Sequence, residues 1–169
     1  MTIYFPNKND EWYTLPYAVE PILEFLKPNS NILCPFDTKD SEYVNVLMNA
    51  GHNVTYRHIK EGSDFFDLED KDVLLFDYII SNPPYSLRKQ VFNKLEELNK
   101  PFAMLVPLVS IALKPIREKL QDKQLLLFDK RIKFKSEEGM ICKNPPSETA
   151  YICKNILPKQ IIFKELKYT

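Results

Sequence analysis

At 169 residues the chain is long enough to bury a substantial core within one domain, and one domain spanning 1–169 is expected. Hydrophobic residues make up 44% and charged residues 27%, as in ordinary globular proteins, and 23 Lys and Arg balance 23 Asp and Glu. That neutrality argues against a protein that coats duplexes by bulk phosphate neutralisation, while leaving room for a local basic patch. Proline, with 13 copies against three glycines, carries most of the punctuation. "YAVEPILEFLK" (17–27) has apolar side chains at helical spacing and Pro28 just beyond it. "NILCPF" (31–36) reads as a short buried strand. "SEYVNVLMNAG" (41–51) follows as a helix with Ser41 as N-cap and Gly51 as C-cap. "HNVTYRHI" (52–59) alternates as a strand does, and "DVLLFDYIIS" (72–81) supplies another. "SLRKQVFNKLEELNK" (86–100) is a helix with Leu87, Val91, Leu95 and Leu98 on one face. "PFAMLVPL" (101–108) is a buried strand, "IREKLQDK" (116–123) a short helix and "QLLLFDKRIKF" (124–134) a further strand. "TAYICKN" (149–155) and "QIIFKEL" (160–166) are strand-like, with no helix between them. Strands alternating with helices predict an α/β fold with a mostly parallel sheet, and the last two strands suit an antiparallel hairpin at one edge.

No run reaches the ~18 apolar residues of a membrane span. "MTIYFPNKNDEWY" lacks the basic start and apolar stretch of a secretory signal. Cys34, Cys142 and Cys153 have no CxxC spacing and suit a reduced compartment, so a cytoplasmic location is expected. His52 and His58 have no partner at metal-ligand spacing, and no metal is expected.

"SNPPYS" (81–86) ends the strand "FDYII" without a glycine to turn the chain. Asn82 offers an amide carbonyl and an NH2 group, while Pro83 and Pro84 keep their carbonyls but lack N–H groups. Tyr85 adds a flat face and a hydroxyl. The Asn82 side-chain oxygen and the Pro83 carbonyl can together receive both hydrogens of a planar amino group, with Tyr85 stacked on its ring. The exocyclic amine of adenine fits this description. Its lone pair is delocalised into the ring, and acceptors that draw its hydrogens out of plane localise that pair for attack. Positioning and electrostatics then supply the rate without a general base. Stacking on one aromatic is worth about 1–3 kcal/mol, and flipping a base out of a duplex costs a few kcal/mol. The bland alternative is a rigid turn, since Asn-Pro and Pro-Pro are common in loops. A strand before the pentad and a helix after it favour a site. The near-copy "KNPPS" (143–147) lacks the aromatic and the preceding strand, and reads as a surface loop.

With these residues the chain resembles the S-adenosylmethionine-dependent methyltransferases that carry the NPPY signature, and among them the small phage-type adenine-N6 DNA methyltransferases. The resemblance implies a Rossmann-like class I methyltransferase fold and S-adenosylmethionine as cofactor. It makes Asn82, Pro83, Pro84 and Tyr85 the catalytic residues. "EWYTLP" (11–16) is similar to the family's N-terminal motif, which makes Tyr13 and Thr14 cofactor contacts. In "CPFDTKDSEY" (34–43), Pro35, Phe36 and Asp37 occupy the family's first-strand motif, where glycines are usual and this chain has none. "GSDFF" (62–66) resembles the acidic-aromatic motif, with Asp64 on the cofactor's adenine amine and Phe65 beside the ring. The carboxylate usual after the second strand is absent from "TYRHIK" (55–60), with Asp37 or Asp40 as conceivable substitutes.

The resemblance implies methyl transfer to adenine N6 in DNA. Adenine in RNA, a protein glutamine amide, or a catalytically silent binding module are alternatives. No separate target-recognition domain is expected. "DKRIKFK" (129–135) places Lys130, Arg131, Lys133 and Phe134 together, either to touch phosphates and stack a base or as a solvated edge strand.

Overall fold

The computed structural model describes residues 12–136, 138–142 and 147–168. Strand β1 (Tyr13–Thr14) leads into helix α1 (Pro16–Val19), which has proline in its first turn, where no N–H is needed. The helical path then tightens into a 3-10 stretch over Glu20–Phe25. Pro21 causes the change, because it has no N–H to donate to the carbonyl four residues back. The continuous helix expected over 17–27 is therefore two short pieces.

Strand β2 (Asn31–Cys34), helix α2 (Glu42–Asn49) and strand β3 (Asn53–Tyr56) follow as expected, with Gly51 at φ +90 closing the turn after α2; Ser41 holds the N-cap position, but its hydroxyl bonds Asp37 and not the helix backbone. The strand expected over 72–81 is shorter. Helix α3 (Asp70–Val73) takes its start, fixed by a capping box between Glu69 and Asp72, and only Tyr78–Ser81 form strand β4. Next come α4 (Arg88–Leu98), β5 (Phe102–Pro107), α5 (Lys114–Arg117) and β6 (Gln124–Phe128).

The expected strand 124–134 breaks after Phe128. Asp129 donates its N–H to the Lys164 carbonyl and accepts the Leu166 N–H at 2.8 Å, which turns the chain away from the sheet. Phe134–Lys135 then form β7, and β8 (Thr149–Lys154) and β9 (Ile161–Lys164) complete the described strands.

One sheet runs β3-β2-β4-β5-β8-β6-β9. All its pairings are parallel except those of β8, which lies antiparallel between β5 and β6. The arrangement is α/β and Rossmann-like, but the expected β8–β9 hairpin is not made, because β6 separates the two strands. Burial explains the placement. The first five residues of β8 are buried, which needs a central position, whereas Ile161–Lys164 alternate exposed and half-buried as an edge strand does. A separate antiparallel ribbon pairs Tyr13 with Lys135 and Thr14 with Phe134.

The sheet carries a core on each face. Ile32, Cys34, Ile80, Ala103, Leu105 and Tyr151 pack against Tyr17, Val19, Val44 and Leu47. The alternate residues Leu33, Ile79, Phe102, Met104 and Ile152 pack against Val91, Phe92 and Leu95 of α4 and Ile116 of α5. This two-residue alternation makes three layers. No helix among the described residues is long and apolar enough to cross a membrane.

Candidate active site

From β2 the chain steps outward to β3, then returns to place β4 on the other side of β2. Such a reversal leaves a crevice beyond the carboxyl ends of the two central strands, where ligands bind in open α/β sheets. Here the crevice is a cleft of about 720 Å³. It is bordered by β1, the loop after β2, the segment after β3 and the pentad after β4. Tyr13, Thr14, Pro35, Phe36, Asp37, Asp64, Phe65, Asn82, Pro83, Pro84 and Tyr85 all border it, so residues far apart in the sequence share one wall.

Asn82 is half-buried at the end of β4. Its Nδ2 donates to the Trp12 carbonyl at 3.3 Å, which fixes the amide orientation. Its Oδ1 is shielded from solvent and has no hydrogen-bond partner among the described residues. A buried acceptor left in this state costs about 1–3 kcal/mol, which a donor arriving in the cleft would recover. Tyr85 borders the cleft but is only 9% exposed, so it does not present the open stacking face expected of it. Phe134 meets its ring edge-on at 6.4 Å, and the Arg88 guanidinium lies 6.0 Å from its centroid while donating to Ser110 Oγ at 3.1 Å.

The loop after β2 turns without any residue at positive φ. Backbone bonds take the place of glycine flexibility. Asp37 N–H donates to the Arg57 carbonyl at 3.0 Å, and Ser41 N–H to the Thr38 carbonyl at 3.0 Å. The Asp37 carboxylate accepts one hydrogen bond from Ser41 Oγ and another, at 2.5 Å, from Ser81 Oγ beside Asn82. It is 7% exposed. Burial pushes its pKa up to about 6, against the opposing effect of the two serine hydroxyls. Lys39 is exposed, while Asp37 and Thr38 border the cleft.

Sequence reasoning missed Ser81, Ser41 and the half-exposed Phe66, which also border or support the cleft. The Ser81 contact spans 44 residues, and no local pattern announces it. After β3, where the sequence lacks a carboxylate, the bordering residues are His58, Ile59 and Lys60, while Asp40 in the loop before α2 and Glu42 at its start also border the cleft.

Asp64 accepts the Phe66 N–H at 2.9 Å and so caps its own turn with one carboxylate oxygen. Phe65 is buried in the core, with Phe36 and Phe66 edge-on to it at 5.0 and 5.6 Å. The rings with free surface on the cleft are thus Phe36 and Phe66 more than Phe65. Thr14 Oγ1 is a second buried atom without a hydrogen-bond partner among the described residues.

Up to Phe134 the basic segment lies beside the cleft and not on its wall. Lys130, Arg131, Lys133 and Phe134 do not border the cleft, although Lys135 and Ser136 do. Phe134 is 5% exposed and sits opposite Thr14 in the ribbon, so its ring cannot serve as an open platform for a base. Arg131 pairs with Glu148 at 2.5 Å, and Lys130 donates to the Leu166 carbonyl at 3.2 Å. The ammonium groups of Lys130 and Lys133 lie 5.3 and 5.5 Å from the Tyr168 ring. These side chains are drawn towards the C-terminal segment by β1–β7 pairing and by the turn at Asp129. Asn144, Pro145 and Pro146 of the second proline pair lie outside the described residues, as does Glu11 of the N-terminal motif. Among the described residues no three His, Cys, Asp or Glu side chains gather as metal ligands would.

No protein-family model matches the chain, and no curated protein is similar to it in sequence. Solved structures of similar shape include TrmN from Thermus thermophilus (TM-score 0.43, 13% identity), where 87% of this chain aligns with 50% of that one. A release-factor-specific protein-(glutamine-N5) methyltransferase from Alicyclobacillus acidocaldarius gives a TM-score of 0.42 at 13% identity, over 83% of this chain and 93% of that one. The precorrin-6y C5,15-methyltransferase from Geobacter metallireducens gives 0.44 at 15% identity, over 86% and 92%. The chain therefore spans half of TrmN and most of the other two.

Proposed function

We propose that this protein transfers a methyl group from S-adenosylmethionine to an exocyclic amino group, with adenine N6 in DNA as the acceptor. The observation that carries this reading is Asn82 Oδ1, a buried acceptor with no hydrogen-bond partner among the described residues, at the carboxyl end of a central strand on a large cleft. The residues present fit the donor. Thr14 Oγ1 is likewise buried without a hydrogen-bond partner among the described residues, and Phe36 and Phe66 give aromatic surface beside Asp64. Tyr13, Thr14, Pro35, Phe36, Asp64 and Phe65 would hold it, together with Phe66. When bound, S-adenosylmethionine supplies an electrophilic methyl group on a positively charged sulfur.

The protein's own part is to position and polarise the acceptor. Asn82 Oδ1 and the Pro83 carbonyl take the two amine hydrogens and so localise the nitrogen lone pair. Both prolines lack N–H groups, so no backbone donor at Pro83 or Pro84 competes for that nitrogen. Tyr85, 9% exposed and fixed by Phe134 and Arg88, borders the cleft as a rigid apolar wall against which the edge of the base rests. The tie from Asn82 Nδ2 to the Trp12 carbonyl keeps the amide from flipping its donor end into the site. The surplus proton on the methylated nitrogen passes to water, because transfer itself makes that nitrogen acidic.

The test is methyl transfer from labelled S-adenosylmethionine to single-stranded DNA, duplex DNA, RNA and a glutamine peptide, with the product identified by mass spectrometry. N6-methyladenine in DNA is the expected product. Asn82→Ala is expected to lower the transfer rate by about 10²-fold or more with donor affinity unchanged, the scale of losing one preorganised polar contact to the reacting group. Wild-type activity in that variant would remove Asn82 from the mechanism, and label on RNA or peptide alone would reassign the acceptor.

A further inference from the structure

Asp37 is a buried carboxyl that the transfer chemistry leaves unused. It sits in the loop after β2, borders the cleft, and is tied by Ser81 Oγ to the residue preceding Asn82. Its two hydrogen-bond donors are serine hydroxyls, which carry no charge. No ion pair reaches it among the described residues. The titratable groups around it are Cys34 on β2, Tyr43 on α2 and Tyr151 on β8. Burial drives the pKa of all three upward, so they are neutral wherever Asp37 ionises. His58 and Lys60 border the cleft from the segment after β3, Asp40 from the same loop as Asp37, and Glu42 from the start of α2. Asp37 is thus a buried carboxyl on a ligand cleft, with Lys60 on the same cleft but no ion pair to Asp37 among the described residues.

We propose that Asp37 selects the charged form of the donor, binding the sulfonium of S-adenosylmethionine in preference to the uncharged thioether left after transfer. This rests on the methyl-transfer reading of the cleft. The physical reason is that a carboxylate in a low-dielectric wall interacts strongly with a nearby cation and scarcely with a neutral sulfur. Loss of the methyl group removes the positive charge, and with it the attraction, so the product is released from the wall that held the donor. The glycine-free loop acquires a purpose on this account, because the residue that replaces small side chains there supplies the discriminating charge.

The experiment is calorimetric titration of the whole protein with S-adenosylmethionine and, separately, S-adenosylhomocysteine, between pH 5 and pH 7, below the range in which an α-amino group titrates. The ratio of the two affinities is expected to rise about tenfold in favour of the sulfonium as pH passes through the range where Asp37 ionises. In Asp37→Asn the ratio should stay flat. Ser81→Ala, which keeps the carboxylate, should retain a pH-dependent ratio. Binding of both ligands with a ratio independent of pH in the wild type would overturn the role of Asp37 while leaving the methyl-transfer reading standing. Binding of neither would overturn both.

Discussion

Asp37 and Asn82 face opposite electrostatic problems within one wall. Asn82 keeps an uncharged acceptor unsatisfied, whereas Asp37 keeps an ionisable acceptor satisfied only by hydroxyls. The consequence for Asp37 is a stability that depends on pH with a definite sign. Its pKa in the folded state is raised to about 6 from 3.8, chiefly by burial. The folded state therefore holds the proton more tightly than the unfolded chain does. Stability from this group is fully present below the unfolded pKa and is lost as pH rises through about 6. Asp37→Asn should flatten that decline and raise stability at pH 7 by about 1–3 kcal/mol, measured by urea denaturation across pH 4–7.5. An unchanged slope would mean that the carboxyl is not desolvated. Tyr151 offers a second check, because its hydroxyl meets Tyr43 at 2.9 Å and donates to the Ala18 carbonyl at 2.9 Å. Tyr151→Phe leaves both groups without it and should cost about 1–3 kcal/mol in the same assay.

Among the elements, those with a long periodic signal were legible and those interrupted by proline or by distant contacts were not. The apolar face of α4 over Val91, Leu95 and Leu98 could be read directly, although Leu87, expected on the same face, precedes the helix and is exposed; the buried strand at 102–107 could be read as well. The 17–27 helix broke where Pro21 removes a donor, and the 72–81 strand shortened where Glu69 and Asp72 cap a turn. Strand order was the larger miss. Periodicity says that "TAYIC" is buried but not between which neighbours, since pairing is fixed by contacts far along the chain. The candidate site divides the same way. The pentad after "FDYII" stands out locally, while the Asp37–Ser81 bond and the burial of Phe134 arise only when β2, β4, β1 and β7 come together. Gly51 was legible as a stop, and its φ of +90 makes a direct prediction. Nothing lies within 4 Å of an added Cβ there, so Gly51→Ala should cost only the backbone strain, about 1–2 kcal/mol by thermal or urea melting.

Across the whole molecule, one buried charge cluster joins the helical layer to the sheet. Glu96 on α4 meets the buried Lys123 at 2.8 Å, just before β6, with Lys119 at 3.1 Å and Lys154 of β8 at 3.4 Å. Burial works against ionisation of Glu96, but the surrounding ammonium groups hold its pKa below the usual carboxylate value. Its contribution is thus present above the unfolded pKa and is lost as pH falls through the folded one, the reverse of Asp37. Glu96→Gln strands the Lys123 ammonium and should cost about 3–5 kcal/mol at pH 7, with a smaller loss of stability on acidification than in the wild type. The position of β8 has a different kind of consequence, one of timing. During synthesis β5 must wait as an open edge until residues 149–154 leave the ribosome, because its sheet partner on that side is made after β6. Until then, β6 has no strand connecting it to the parallel half. The sheet therefore closes late and through non-local pairing, a slow route that leaves a hydrophobic edge open to mispairing while the chain is incomplete.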